Sequence, residues 1–179
     1  MKVYRASELD LQGIRSFPWF TSAHDFRCRY IDFKEHPELI PTTLEDFLVW
    51  SSYPAIQTFY EAIRWINSTG SELETDDCAF GGIKLNSSDH FKKERQADGR
   101  VMLFFRKLKL NCAEESAQWL MDCFEFHVQR VEMDLEWGVI GLSKSCTRFK
   151  AIGQEGRSLI MNFWAWGDTQ DEVMGNLLG

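Results

Sequence analysis

Apolar and polar positions fall into blocks whose period changes along the chain. The first 25 residues hold no clean period, and Ser16, Phe17, Pro18, Trp19 and Phe20 form an irregular aromatic segment that needs a surface to dock on. From Phe26 to Phe33 the pattern alternates, with Phe26, Cys28 and Tyr30 on one side and Arg27, Arg29 and Ile31 on the other, which predicts a half-buried strand. His36-Pro37 and Ile40-Pro41 predict a loop, followed by a short helix capped by Thr42 or Thr43 and carrying Leu44, Phe47 and Leu48. Pro54 suits the first turn of a helix in which Ile56, Phe59, Tyr60, Ile63 and Ile66 share one face, and Ser68-Thr69-Gly70 ends it.

Beyond an acidic run from Glu72 to Asp77, residues Cys78 to Leu85 predict a strand, and the polar stretch from Asn86 to Gly99, closing on Asp98-Gly99, predicts a loop or hairpin connection. Arg100 to Leu110 predicts a strand whose unbroken Val101 to Phe105 run is covered on both faces. Glu114 to Val131 predicts a helix with an apolar stripe of Ala117, Leu120, Met121, Phe124, Val128 and Val131, flanked by a second stripe of Trp119, Cys123 and Phe126. Leu135 to Leu142 and Thr147 to Ile152 predict paired strands around a turn at Ser143 to Cys146. Ser158 to Trp166 predicts another strand, with Ile160, Trp164 and Trp166 on one face and Asn162 as its polar exception. Asp168 or Thr169 then caps a last helix carrying Val173, Met174, Leu177 and Leu178.

Strand, helix, strands, helix is the order of an α+β fold. The expectation is one domain over residues 1–179, mainly helical or irregular over 1–70 and a sheet with two helices over 71–179. That sheet is antiparallel, of about five or six strands, with helices packed mainly on one face. A split ferredoxin-like arrangement is one candidate.

Composition narrows the function classes. Hydrophobic residues at 44% exclude wholesale disorder. A net charge of -7 repels phosphate backbones, so no nucleic-acid partner is expected and a basic protein partner suits the chain better. No apolar run reaches membrane-spanning length, and Arg5, Glu8 and Asp10 interrupt any signal-peptide pattern, so a cytoplasmic protein is expected. The five cysteines are scattered, as expected of unpaired thiols in a reducing compartment.

Motifs for chemistry are absent. No closely spaced cysteine pair, H-E-x-x-H or calcium loop occurs, and Cys123 with His127 falls short of the four ligands of structural zinc, so no metal is expected. Gly81-Gly82 lacks the lysine and spacing of a P-loop and reads as a turn or bulge; no cofactor is expected. Gly141-Leu142-Ser143-Lys144-Ser145 lacks the closing glycine of a nucleophile elbow, which leaves Ser143 as a turn residue. Carboxylates of the 72–77 run, and His24 with Asp25, read as solvated groups, and no residue is assigned a catalytic role.

The expectation is therefore an acidic cytosolic binding or inhibitory protein, immunity-like in acting by stoichiometric binding to a more basic partner. Its contact residues would be Glu72, Glu74, Asp76, Asp77, Trp119 and Phe126. One alternative is an enzyme or small-molecule binder with a pocket between sheet and helices near His127, Trp164 and Trp166. Another is a homo-oligomeric structural protein, possible as a homodimer.

Overall fold

A computed structural model describes residues 2–5, 14–18, 31–45, 48–87, 91–130 and 137–177. Its elements are β1 (Lys2–Arg5), β2 (Arg15–Phe17), α1 (Leu39–Glu45), α2 (Pro54–Ile66), β3 (Leu73–Leu85), β4 (Arg95–Phe105), α3 (Glu114–Arg130), β5 (Gly138–Phe149), β6 (Gln154–Gly167) and α4 (Gln170–Leu177). A 3-10 turn at Leu108–Cys112 joins β4 to α3. The strands form one six-stranded sheet in the order β1-β5-β6-β4-β3, with β2 also pairing β5. The four long strands pair antiparallel, as expected, and the short N-terminal strands add to β5 in parallel. Because β4 and β5 both run antiparallel to β6, α3 is a crossover between parallel strands with β6 inserted between them.

The helices cover one face of this sheet. There Phe80, Ala97, Val101, Leu103, Leu142, Leu159 and Ala165 pack with the stripes of α2, α3 and α4 in a single core. The expected stripe of α2 is buried throughout, and Ala117, Leu120 and Met121 are the buried part of the α3 stripe. Thr169 caps α4, its Oγ1 accepting a hydrogen bond of 3.2 Å from the Glu172 N–H.

The opposite, inner face is rolled. In a flat sheet β2 and β3 would lie about 19 Å apart, four spacings of roughly 4.8 Å. Yet Arg15 on β2 contacts Asp77 on β3 at 2.9 Å. At one end of this face Phe17, Phe104 and Phe149 form a second apolar cluster, with Phe17 and Phe104 ring centroids 4.5 Å apart. This is where Phe17 of the N-terminal aromatic segment docks; Trp19 and Phe20 lie outside the described residues.

Several expected boundaries move. The strand expected over Phe26 to Phe33 falls mostly outside the described residues, and 31–33 are not strand. The first helix starts at Leu39, so Pro41 sits in its first turn, where a missing N–H costs nothing, and the Thr43 hydroxyl donates back to the Leu39 carbonyl instead of capping. The acidic run belongs to β3 from Leu73 onward, not to a loop. Asp98-Gly99 is mid-strand in β4: a Cβ at Gly99 would strike the Phe163 ring and lie 2.7 Å from the Ala79 carbonyl oxygen. Ser143 to Cys146 is not a turn, because β5 runs unbroken through it, and the hairpin reverses at 150–153, where Gly153 takes φ +64°.

Candidate functional site

Two irregularities in β3 shape the inner face. Thr75 pairs with Leu103 and Cys78 with Val101, so Asp76 and Asp77 together oppose Met102 in a β-bulge. Thr75 and Cys78 face the helices, which leaves both aspartates turned to the inner face. A second bulge sets Gly81 and Gly82 opposite Asp98; a Cβ at Gly81 would collide with the Asp98 carboxylate, and Gly82 takes φ +72°. The expected bulge at this glycine pair is therefore present.

The aspartates differ in their surroundings. One oxygen of Asp77 accepts hydrogen bonds from Arg15 at 2.9 Å and from Arg100 at 2.8 Å. Asp76 has an oxygen that is buried with no hydrogen-bond partner. Burial pushes the Asp76 carboxyl up to about 7, with Asp77 and then Glu74 adding to the rise and Arg15 opposing it. Glu74 is buried two positions earlier, and its carboxyl is also raised, by burial first, with Lys34 opposing from 4.0 Å.

Cross-strand pairing sets further groups beside these. Ser143, Ile160 and Met102 share one row with the aspartate bulge; Tyr4, Gly141, Asn162 and Arg100 share the next. The Ser143 hydroxyl is buried without a partner, whereas Thr147 and Ser158 bond each other at 2.5 Å.

On the helix-covered side, α3 presents a different surface. Trp119 and Phe126 lie two turns apart and keep 58% and 49% of their surface exposed. The Trp119 ring lies beside that of Phe105, with centroids 6.1 Å apart, and the Arg130 guanidinium stacks 3.9 Å from the Phe126 ring. Exposed Glu115 and Asp122 flank this strip, with Cys123 half-buried along it. Asp122 and Glu125 hold Arg5 of β1, which fixes the helix against the sheet edge.

No family model, curated protein or solved structure matches the chain.

The residues expected to contact a partner are divided between the inner face and α3. Glu72 is exposed just before β3, while Glu74, Asp76 and Asp77 are drawn onto the inner face among arginines. Trp119 and Phe126 stand together on α3. The residues of the alternative pocket are separated as well: His127 is exposed on α3, whereas Trp164 and Trp166 point to the face opposite the helices, because Leu159 and Ala165 take the helix side. Trp166 packs on Phe91, with ring centroids 4.2 Å apart. Among the described residues no group of three or more His, Cys, Asp or Glu could hold a metal ion, and no helix is long and apolar enough to cross a membrane. Described cysteines 78, 112, 123 and 146 are free thiols; burial first pushes Cys78 up to about 12. Arg15, Arg100 and Tyr4 carried no sequence signal for their places here, and only Asn162, polar in an apolar strand, did.

Proposed function

We propose that this chain acts by stoichiometric binding of a more basic protein through the outer strip of α3. The observation that carries this is the pair of large aromatic side chains, Trp119 and Phe126, left exposed two turns apart on α3 with the exposed Glu115 and Asp122 beside them. Large aromatics are the residues that most often dominate binding energy, and flanking carboxylates steer and select a cationic partner. The net charge of -7 supports the same choice and disfavours a second copy of this acidic strip. An inhibitory or immunity-like role follows if the captured protein loses activity in the complex.

The test starts with affinity purification of the tagged chain, followed by reconstitution of any stoichiometric protein from purified components. Calorimetry should then give binding that Trp119→Ala weakens by about 30-fold or more, the range of a buried aromatic anchor. Glu115→Lys should slow association, with the largest effect at low salt. A reconstituted complex indifferent to Trp119→Ala and Phe126→Ala would end the proposal. So would a chain that light scattering reports as a dimer through these same residues.

A further inference from the structure

An arginine already sits on one ring of the α3 strip. Side chains on a helix lean toward its N-terminus, so a long one lies against the residue four positions before it. Arg130 does this on Phe126, its guanidinium 3.9 Å from the ring centroid. The strip thus displays, within its own chain, a guanidinium held over an exposed aromatic ring.

Two turns earlier the arrangement recurs without its cation. Trp119 is the more exposed of the two rings, and an indole attracts cations more strongly than a phenyl ring does. Four positions after it comes Cys123, whose short side chain brings no cation to the indole. Four positions before it stands Glu115, exposed on the same side of the helix and making no hydrogen bond or ion pair among the described residues. The other carboxylates of α3 are engaged: Asp122 by Arg5 and Gln118, Glu125 by Arg5 and Gln129, Glu114 by Lys144 and Arg157. An open indole therefore lies beside the carboxylate of this helix that has been left unmatched, and both are on the surface, where a partner's side chain has room.

We infer that Trp119 and Glu115 form a seat for an arginine side chain of the partner protein. Its guanidinium lies over the indole, as Arg130 lies over Phe126, and its N–H groups donate to the Glu115 carboxylate. A planar guanidinium makes both contacts at once, whereas a lysine ammonium is a compact and strongly hydrated point charge, so the seat selects arginine over lysine. This inference rests on the reading of the α3 strip as the binding surface and names the residue type that the strip takes.

The experiment titrates the 15N-labelled chain at low salt with capped tri-arginine and tri-lysine peptides. The readout is the Trp119 indole N–H resonance, identified by its loss in Trp119→Phe. A saturable shift with tri-arginine is expected, with affinity at least about threefold below it for tri-lysine of the same charge. Glu115→Gln should lower the affinity for tri-arginine by roughly two- to fivefold, the effect of one exposed charge pair. Glu61→Gln, the same change of charge at an exposed position of α2, should lower it less. Equal affinities for the two peptides, equal effects of the two glutamate variants, or no saturable shift at Trp119 would each overturn the seat. A silent Trp119 indole alongside a reconstituted complex that Trp119→Ala still weakens would overturn the arginine seat alone. Peptide binding as expected, alongside a complex indifferent to Trp119→Ala, would support the seat and end the reading of the strip as the partner's site.

Discussion

At the scale of single residues, Asp76 is the most informative group. Its folded-state carboxyl titrates near 7, whereas an aspartate in an unfolded chain titrates near 3.9, roughly the model-peptide value. Between those values the native state holds a proton that the unfolded state has released. Stability therefore falls as pH rises through this window, by at most about 1.4 kcal/mol per pH unit, and is fully retained below it. Asp76→Asn removes the ionisation while keeping the shape. Urea denaturation from pH 4 to 8 should find the variant close to the parent at pH 4 and more stable by about 1–3 kcal/mol at pH 8. Parallel pH profiles for the two proteins would mean that Asp76 ionises in the native state as easily as in the unfolded one. Glu74, raised in the same direction, leaves a smaller residual slope in the variant.

Elements were legible where one stripe of residues had one job. The faces of α2 and α3, the apolar run of β4 and the Thr169 cap are all of this kind, since burying a helix stripe requires the 3.6 period to be written plainly. β3 and β5 were obscured by the face they turn inward. Glu74, Asp76 and Asp77 look solvated until a rolled sheet encloses them, and a bulge cannot be read from pattern because it breaks the alternation that reveals strands. Ser143 and Ser145 look like turn material, yet small side chains, with Gly141 and Thr147 on either side of them, are what the crowded inner face of β5 admits. The exit from β4 hides a similar device. Buried Asn111 accepts from the Phe105 N–H and donates to the Phe105 and Leu108 carbonyls, while its own carbonyl lies against Gly156, where a Cβ would be 2.6 Å from the carbonyl carbon. Asn111→Ala should cost about 1–3 kcal/mol, because it strips three bonds from backbone groups that are partly shielded from water. Gly156→Ala should cost a comparable amount by overpacking, roughly 1–3 kcal/mol. The double variant should cost less than the sum, since both disturb one contact; additive losses in urea denaturation would show that the two act independently.

Taken whole, the molecule has a sheet whose helix-covered face supplies the core and whose rolled inner face carries an ion-paired aspartate beside a smaller apolar cluster. Arg15 joins the two margins of the roll by reaching Asp77 from β2, and Arg100 meets the same oxygen from β4. This three-residue bridge also sets the field at Asp76: Arg15 favours its ionised form and Asp77 opposes it. Opposite signs follow for the two ends of one contact. Arg15→Gln should move the Asp76 midpoint upward, and Asp77→Asn should move it downward, each by about half a unit to one unit for a partly screened neighbouring charge. Carboxyl carbon shifts of the 13C-labelled chain measure both. General loosening of β2 would let water reach Asp76 in either variant and lower the midpoint in both. A rise in one and a fall in the other therefore separates electrostatic coupling across the roll from simple loss of structure, and a common direction would show that the bridge acts on Asp76 only by keeping the sheet closed.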